Sequence, residues 1–290
     1  PPPMDTWLPG LLILVVVMFA GVPIAFAMAL VGGLGLTMIL GFMPAMAIIG
    51  QTTFDTGLSY SLSVVPLFVL MGNLVTRAGL SDELYAACHA WLGHRRGGLA
   101  MATAVACGGF SAVCGSSLAT AATMGKVALP QMRRYRYDDG LASGVIAAGG
   151  TLGILIPPSV ILVLYGVTAQ QDIARLFIAG VVPGALGILG YMAAVRIVCW
   201  LNPKAGPPAE RMSYRERFAA LKGVTGILAL FALVIGGIYA GVFTATEAAG
   251  IGASGAFLIA LARRRLTWST LLETLADTAA TPTMMFMVLI

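Results

Sequence analysis

Long apolar runs alternate with short charged stretches along nearly the whole chain. Read with a window of about 20 residues, the length of helix that crosses a bilayer, the pattern predicts spans at Trp7–Ala20 and Val22–Leu40, joined at Gly21-Val22-Pro23. Further spans follow at Ser61–Thr76, Leu141–Thr168, Leu176–Trp200, Val224–Ala240 and Ala248–Ala262, and Leu271–Ile290 begins another. Residues 41–60 are less apolar and are expected at the membrane interface. The chain ends inside an apolar run, Met284–Ile290, so more of the protein is expected beyond it.

Composition sharpens this picture. Of the 290 residues, 59% are hydrophobic and only 10% are charged, where a soluble domain carries about 25%. One soluble core could not hide so much apolar surface, so the bilayer must solvate most of it. The 36 glycines then predict close helix packing and broken helices rather than loops. The net charge of +5 is no sign of nucleic-acid binding, because the basic residues sit in short loops between apolar runs. Cys88, Cys107, Cys114 and Cys199 lack metal-ligand spacing and read as small packing residues. No basic region precedes the first apolar run, so no signal peptide is expected.

The basic residues also set sidedness. Loops 77–98, 126–139, 196–222 and 263–265 hold 16 of the 17 Lys and Arg, leaving only Arg175 elsewhere. Cytoplasmic loops concentrate Lys and Arg. If Leu99–Gly125 crossed the membrane fully, one of the basic loops beside it would lie outside. If it enters and returns, every basic loop is cytoplasmic. Residues 99–125 are therefore predicted to form a re-entrant hairpin with its tip in the run Gly108–Ser117. Irregular backbone at membrane depth survives only where protein or a watery cavity covers it, so the tip should line a site.

A second interruption is expected in the span 141–168, at Gly149-Gly150-Thr151-Leu152-Gly153-Ile154-Leu155-Ile156-Pro157-Pro158-Ser159. Pro157 and Pro158 cannot donate to the carbonyls of Gly153 and Ile154. Free carbonyls with Ser or Thr hydroxyls make a hard-oxygen site suited to Na⁺, and an opposed helix N-terminus suits a carboxylate. At the hairpin, Ser116 and Ser117 are the hydroxyls nearest the tip; Thr120 lies beyond them, and Thr123 reads as structural. Thr244 or Thr246 should cap a helix with Glu247 in its first turn, although a carboxylate beside an apolar span could also be an ion ligand. His89 and His94 fall in or near a basic loop and read as solvated or interfacial. There is no phosphate-binding loop, and Ser116 and Cys114 have no nearby base, which argues against ATP hydrolysis and against a membrane enzyme.

Together the runs Gly115–Gly125, Gly149–Ser159 and Gly241–Ala249, with Gly21–Phe26 and Val65–Phe68, resemble the large membrane (permease) subunit of tripartite ATP-independent periplasmic (TRAP) transporters. The resemblance runs from about residue 10 to the end, in the family's order. It implies an all-α integral membrane fold of the ion-transporter superfamily, with scaffold and elevator-type transport domains. On that reading residues 1–98 are scaffold helices, 99–168 a first transport unit (hairpin 99–125, broken helix 141–168), 169–222 a connecting helix and linker, and 223–290 the start of a second repeat. The resemblance further implies uptake of small organic anions, such as C4-dicarboxylates or sugar acids, into the cytoplasm of a bacterium across its inner membrane. Na⁺ would be the coupling ion, with no other cofactor. The partners would be a small membrane subunit and a periplasmic solute-binding protein. Carried over by position, Ser116, Ser117, Gly153, Ile156 and Pro158 would form one Na⁺ site, and Gly115, Thr120, Thr151 and Ser159 would lie near the substrate. The alternative is a stand-alone ion-coupled anion carrier of related fold. Two features depart from the family pattern: a second hairpin and second broken helix are not in this sequence, and Ala245 stands where the family usually has Pro.

Overall fold

The computed structural model describes residues 7–289; the opening prolines and Ile290 lie outside them. Every regular element among the described residues is helical. The chain falls into two compact units, one of residues up to Leu62 with those from Asp277 onward, the other Ser63–Ala276.

The first unit contains α1 (Trp7–Phe19), α2 (Ile24–Leu40) and α3 (Phe42–Leu58). α1 packs on α2, and α2 on α3. Few residues are buried, among them Ala25, Ala27 and Ala45, while Phe19 and Met38 are 90% and 88% exposed. Helices that present large apolar side chains outward on every face are solvated by lipid, not water.

In the second unit follow α4 (Val64–Arg77), α5 (Leu80–Leu92), α6 (Gly98–Cys114), α7 (Ser117–Arg134), α8 (Asp139–Leu155), α9 (Val160–Thr168), α10 (Ile173–Leu201), α11 (Tyr214–Tyr239), α12 (Ala245–Ala262) and the first part of α13 (Trp268–Leu289). Among the described residues four stretches are long and apolar enough to span a bilayer: Asp139–Thr168, Ile173–Leu201, Tyr214–Tyr239 and Ala245–Ala262. At the centre lies α6, packed by α4, α5, α7, α8 and α10. Its small side chains explain this: fourteen of its seventeen residues are buried, mostly Ala, Gly, Thr, Ser and Cys. Small residues let helix backbones approach closely, the main source of association where lipid replaces water.

α6 and α7 form the expected hairpin. The N–H of Leu99, at its start, donates to the Tyr137 hydroxyl just past its end (3.1 Å). The feet are strapped to the linker: Gly97 N–H donates to Gly206 O (2.9 Å), Ala209 N–H to Gly93 O (2.9 Å) and Asp138 N–H to Ala205 O (3.0 Å). Three of the basic loops therefore meet at the foot of this hairpin. The loop at 263–265 is tied to α5 by the Arg263–Glu83 ion pair (2.7 Å).

Three boundaries differ from those read from sequence. Residues 77–98 are not simply a loop but hold α5, whose apolar face (Leu80, Leu84, Tyr85, Ala87, Ala90) is buried. It is amphipathic and short, and a 20-residue window averages it away. The hairpin's return arm runs to Arg134 rather than Gly125, because Lys126, Arg133 and Arg134 lie on exposed positions of α7 while Met124, Ala128 and Met132 face inward. The linker ends at Ser213, where a capping box with Glu216 starts α11. His89, read as solvated or interfacial, is half-buried between Tyr85 (6.3 Å, stacked) and Tyr135 (5.9 Å, edge-on), and burial lowers its pKa.

Candidate functional site

The hairpin turns at Gly115, with φ +64° and ψ 8°. There its N–H still closes the last turn of α6 on Ser111 O (3.0 Å). Ser116 then N-caps α7, its hydroxyl accepting from Ala119 N–H (3.4 Å). Left-handed backbone is readily adopted only by glycine, so the tip is as tight as a two-residue turn allows.

α8 breaks where the prolines predict. Ile156 N–H still reaches Leu152 O (2.8 Å). The next two residues have no N–H, which leaves the carbonyls of Gly153 and Ile154 without helical donors. The Pro157–Pro158 peptide is cis. α9 restarts under a second serine cap, with Ser159 accepting from Leu162 N–H (3.4 Å).

The two interruptions meet. Val160 N–H donates to Gly115 O (3.2 Å), joining the start of α9 to the end of α6. A Cβ on Gly115 would lie 2.7 Å from Pro158 O. A Cβ on Gly153 would lie 2.8–2.9 Å from Ser116 C, Ser116 O and Ser117 N. Tip and break are thus in backbone-to-backbone contact. Two helix C-termini (α6, α8) and two N-termini (α7, α9) converge, bringing partial negative and partial positive charge to one place.

Of the expected site residues, Gly115, Ser116, Ser117, Gly153, Pro158 and Ser159 are brought together here. Ile156 contributes backbone only: its side chain presses on Gly184 of α10, where a Cβ would stand 2.6 Å away. Thr120 lies one turn below the tip, fully buried beside the Cys114 thiol but outside hydrogen-bond geometry, so its hydroxyl has no partner. Thr151 is placed apart, since its exposed hydroxyl bonds Ala148 O (2.7 Å) and Tyr191 Oη (2.8 Å). Sequence reading passed over Ser111, on the last turn of α6, whose fully buried hydroxyl also lacks a partner. Its signal was position: it lies one helical turn before Gly115, inside the same glycine-rich run.

Glu247 is engaged in capping. Thr244 Oγ1 accepts from Glu247 N–H (3.3 Å), and Glu247 Oε2 accepts from Thr244 N–H (2.8 Å). The start of α12 is thus a capping box. Ala245 is its first helical residue and Thr244 is extended (φ −69°, ψ 163°), both compatible with proline at 245. Ala245→Pro should therefore leave the fold intact and raise stability by about 0.4–1 kcal/mol, chiefly by restricting the unfolded chain. Thermal unfolding in detergent reads this directly, and a clear loss of stability would mean that the first turn of α12 is not as described.

An apolar helical bundle in which a hairpin tip and a helix break touch at their backbones has the build of a secondary transporter. Residues 11–290 match the family described as tripartite ATP-independent periplasmic transporter, DctM component, and the chain belongs to that family. It is similar to the C4-dicarboxylate TRAP transporter large permease protein DctM of Pseudomonas aeruginosa, at 41% identity over 72% of this chain and 48% of the relative. It is also similar to the sialic acid TRAP transporter large permease protein SiaM of Vibrio cholerae (34% identity; 91% of this chain, 61% of the relative). A third relative is the ectoine TRAP transporter large permease protein TeaC of Halomonas elongata (33% identity; 79% of this chain, 53% of the relative). The chain spans about half the length of the curated relatives it matches.

Proposed function

We propose that this chain is the part of a Na⁺-driven permease that carries one half of its transport site, and that the whole protein takes up small organic anions into a bacterial cytoplasm across the inner membrane. A small membrane subunit and a periplasmic binding protein would be its partners. The observation that carries this reading is the contact of the hairpin tip with the helix break, fixed by Val160 N–H on Gly115 O. Carbonyl oxygens from the ends of α6 and α8, with the hydroxyls of Ser116 and Ser117, supply uncharged hard oxygens for a small cation. The N-termini of α7 and α9 supply partial positive charge for an anionic group. Relatives are named for C4-dicarboxylate, sialic acid, ectoine and isethionate, compounds that each carry a carboxylate or a sulfonate, which supports a substrate with an anionic acid group here too.

Uptake by the full-length complex in proteoliposomes, with binding protein and substrate outside, should require an inward Na⁺ gradient. It should also vanish without the binding protein; uptake that persists without it favours a stand-alone carrier. Ser116→Gly separates the ion role of Ser116 from its capping role, because Gly at an N-cap costs only a few tenths of a kcal/mol. Losing one hydroxyl ligand, at about 1 kcal/mol, should raise the half-saturating Na⁺ concentration about fivefold with little change in Tm. An unchanged Na⁺ dependence would remove Ser116 from the ion site.

A further inference from the structure

The second unit holds a cavity of about 580 Å³ away from the hairpin tip, lined by Arg96, Arg196, Ile197, Cys199 and Trp200. Arg96 comes from the loop that leads into the hairpin; the other four lie near the C-terminal end of α10. The loop is pressed onto that end, since a Cβ on Gly97 would lie 2.8 Å from Cys199 Sγ and 3.1 Å from Val195 Cγ1. Both arginines are exposed. Among the described residues neither has a hydrogen-bond or ion-pair partner. No acidic side chain lines the cavity.

Two guanidiniums facing one open cavity form an anion site. The C-terminal end of α10 contributes about half a negative charge, well short of the two positive charges opposite. The rest of the lining is not what a soluble anion needs. Ile197 and Trp200 are 56% and 77% exposed, and the next residue, Leu201, is 72% exposed. This is where the apolar span of α10 ends and Asn202-Pro203-Lys204 begins. Tryptophan at the end of a span marks the headgroup level of the bilayer, and basic pockets there attract anionic lipid.

We propose that this cavity binds an anionic phospholipid, with its phosphate between Arg96 and Arg196 and an acyl chain along Ile197 and Trp200. Arginine forks match phosphate oxygens in pairs. The lipid would staple the foot of the hairpin to α10, beside the Gly97–Gly206 hydrogen bond already there.

The test uses the full-length protein, purified in detergent and titrated with phosphatidylglycerol, with phosphatidylcholine of the same chains, and with inorganic phosphate. Phosphatidylglycerol should raise Tm, phosphatidylcholine should do so much less, and phosphate should not. In the Arg96→Gln/Arg196→Gln double variant, apparent affinity for phosphatidylglycerol should fall about 25-fold, about fivefold for each guanidinium. Both side chains are exposed, so Tm without lipid should stay at the wild-type value. Equal effects of the two lipids, a wild-type titration by the double variant, or a phosphate effect matching that of phosphatidylglycerol would each overturn the proposal, the last in favour of a soluble anion. A second measurement does not depend on the arginine variants. Brominated-chain phosphatidylglycerol should quench tryptophan fluorescence more in the wild type than in Trp200→Phe, and equal quenching would place the lipid elsewhere.

Discussion

Gly153→Ala is expected to leave the protein folded and inserted but to cripple Na⁺-driven uptake. The new methyl would stand 2.8–2.9 Å from three backbone atoms of Ser116 and Ser117. Backbone cannot turn aside as a side chain can, so α8 and the hairpin tip must separate. Overpacking of this kind costs about 1–3 kcal/mol, which a bundle of this size survives. The proposed Na⁺ site would not survive it, because bound metal ions hold their ligands to within about 0.2 Å. The half-saturating Na⁺ concentration should rise at least about tenfold, or uptake should disappear. Gly144→Ala is the control: it lies on the same helix with nothing within 4 Å of its Cβ, and should be neutral or stabilising by about 0.5–1 kcal/mol. Wild-type Na⁺ dependence in Gly153→Ala would show that the contact between tip and break plays no part in coupling.

Gly115→Ala should be worse, with both stability and uptake lost. Its φ of +64° costs an L-residue about 1–2 kcal/mol. Its Cβ would also meet Pro158 O at 2.7 Å, adding about 1–3 kcal/mol and pulling apart the Val160 N–H to Gly115 O bond. A fall in Tm of roughly 5 °C or more is expected. Gly115→Asn separates the two causes. Asparagine tolerates left-handed backbone but still carries a Cβ, so it should remain defective. Full recovery in that variant would mean that backbone conformation alone, and not the approach of Pro158, makes glycine necessary.

Both positions were legible in the sequence because they break its rules. A Gly-Ser-Ser turn inside an apolar run, and two prolines inside a span, cannot be ordinary helix. The hairpin's return could also be read, since the arginines of loops 77–98 and 126–139 share a side only if the chain doubles back. What stayed hidden depends on three-dimensional packing. α5 hides its apolar face behind Asp82 and Glu83 at the level of average hydropathy. Thr151 and Ser111 look alike in a string of small residues. The turn of α8 sends the Thr151 hydroxyl to Tyr191, while the position of α6 leaves that of Ser111 buried and unpaired. Helical phase against a neighbour decides such cases, and hydropathy does not report it.

The strapped foot of the hairpin bears on the order of assembly. The acceptors for Gly97 and Asp138 are Gly206 and Ala205, which leave the ribosome only after α8, α9 and α10. Until then the base of the hairpin lacks both straps, although it has its own Leu99 N–H to Tyr137 Oη bond and its turn at Gly115–Ser116 can meet the break once Val160 has been made. The hairpin is therefore completed in two stages, its tip against the break first and its foot against the linker later. A stall or cleavage before residue 205 would leave the foot of the hairpin unstrapped, and one before residue 157 would also leave its turn without the break as a partner.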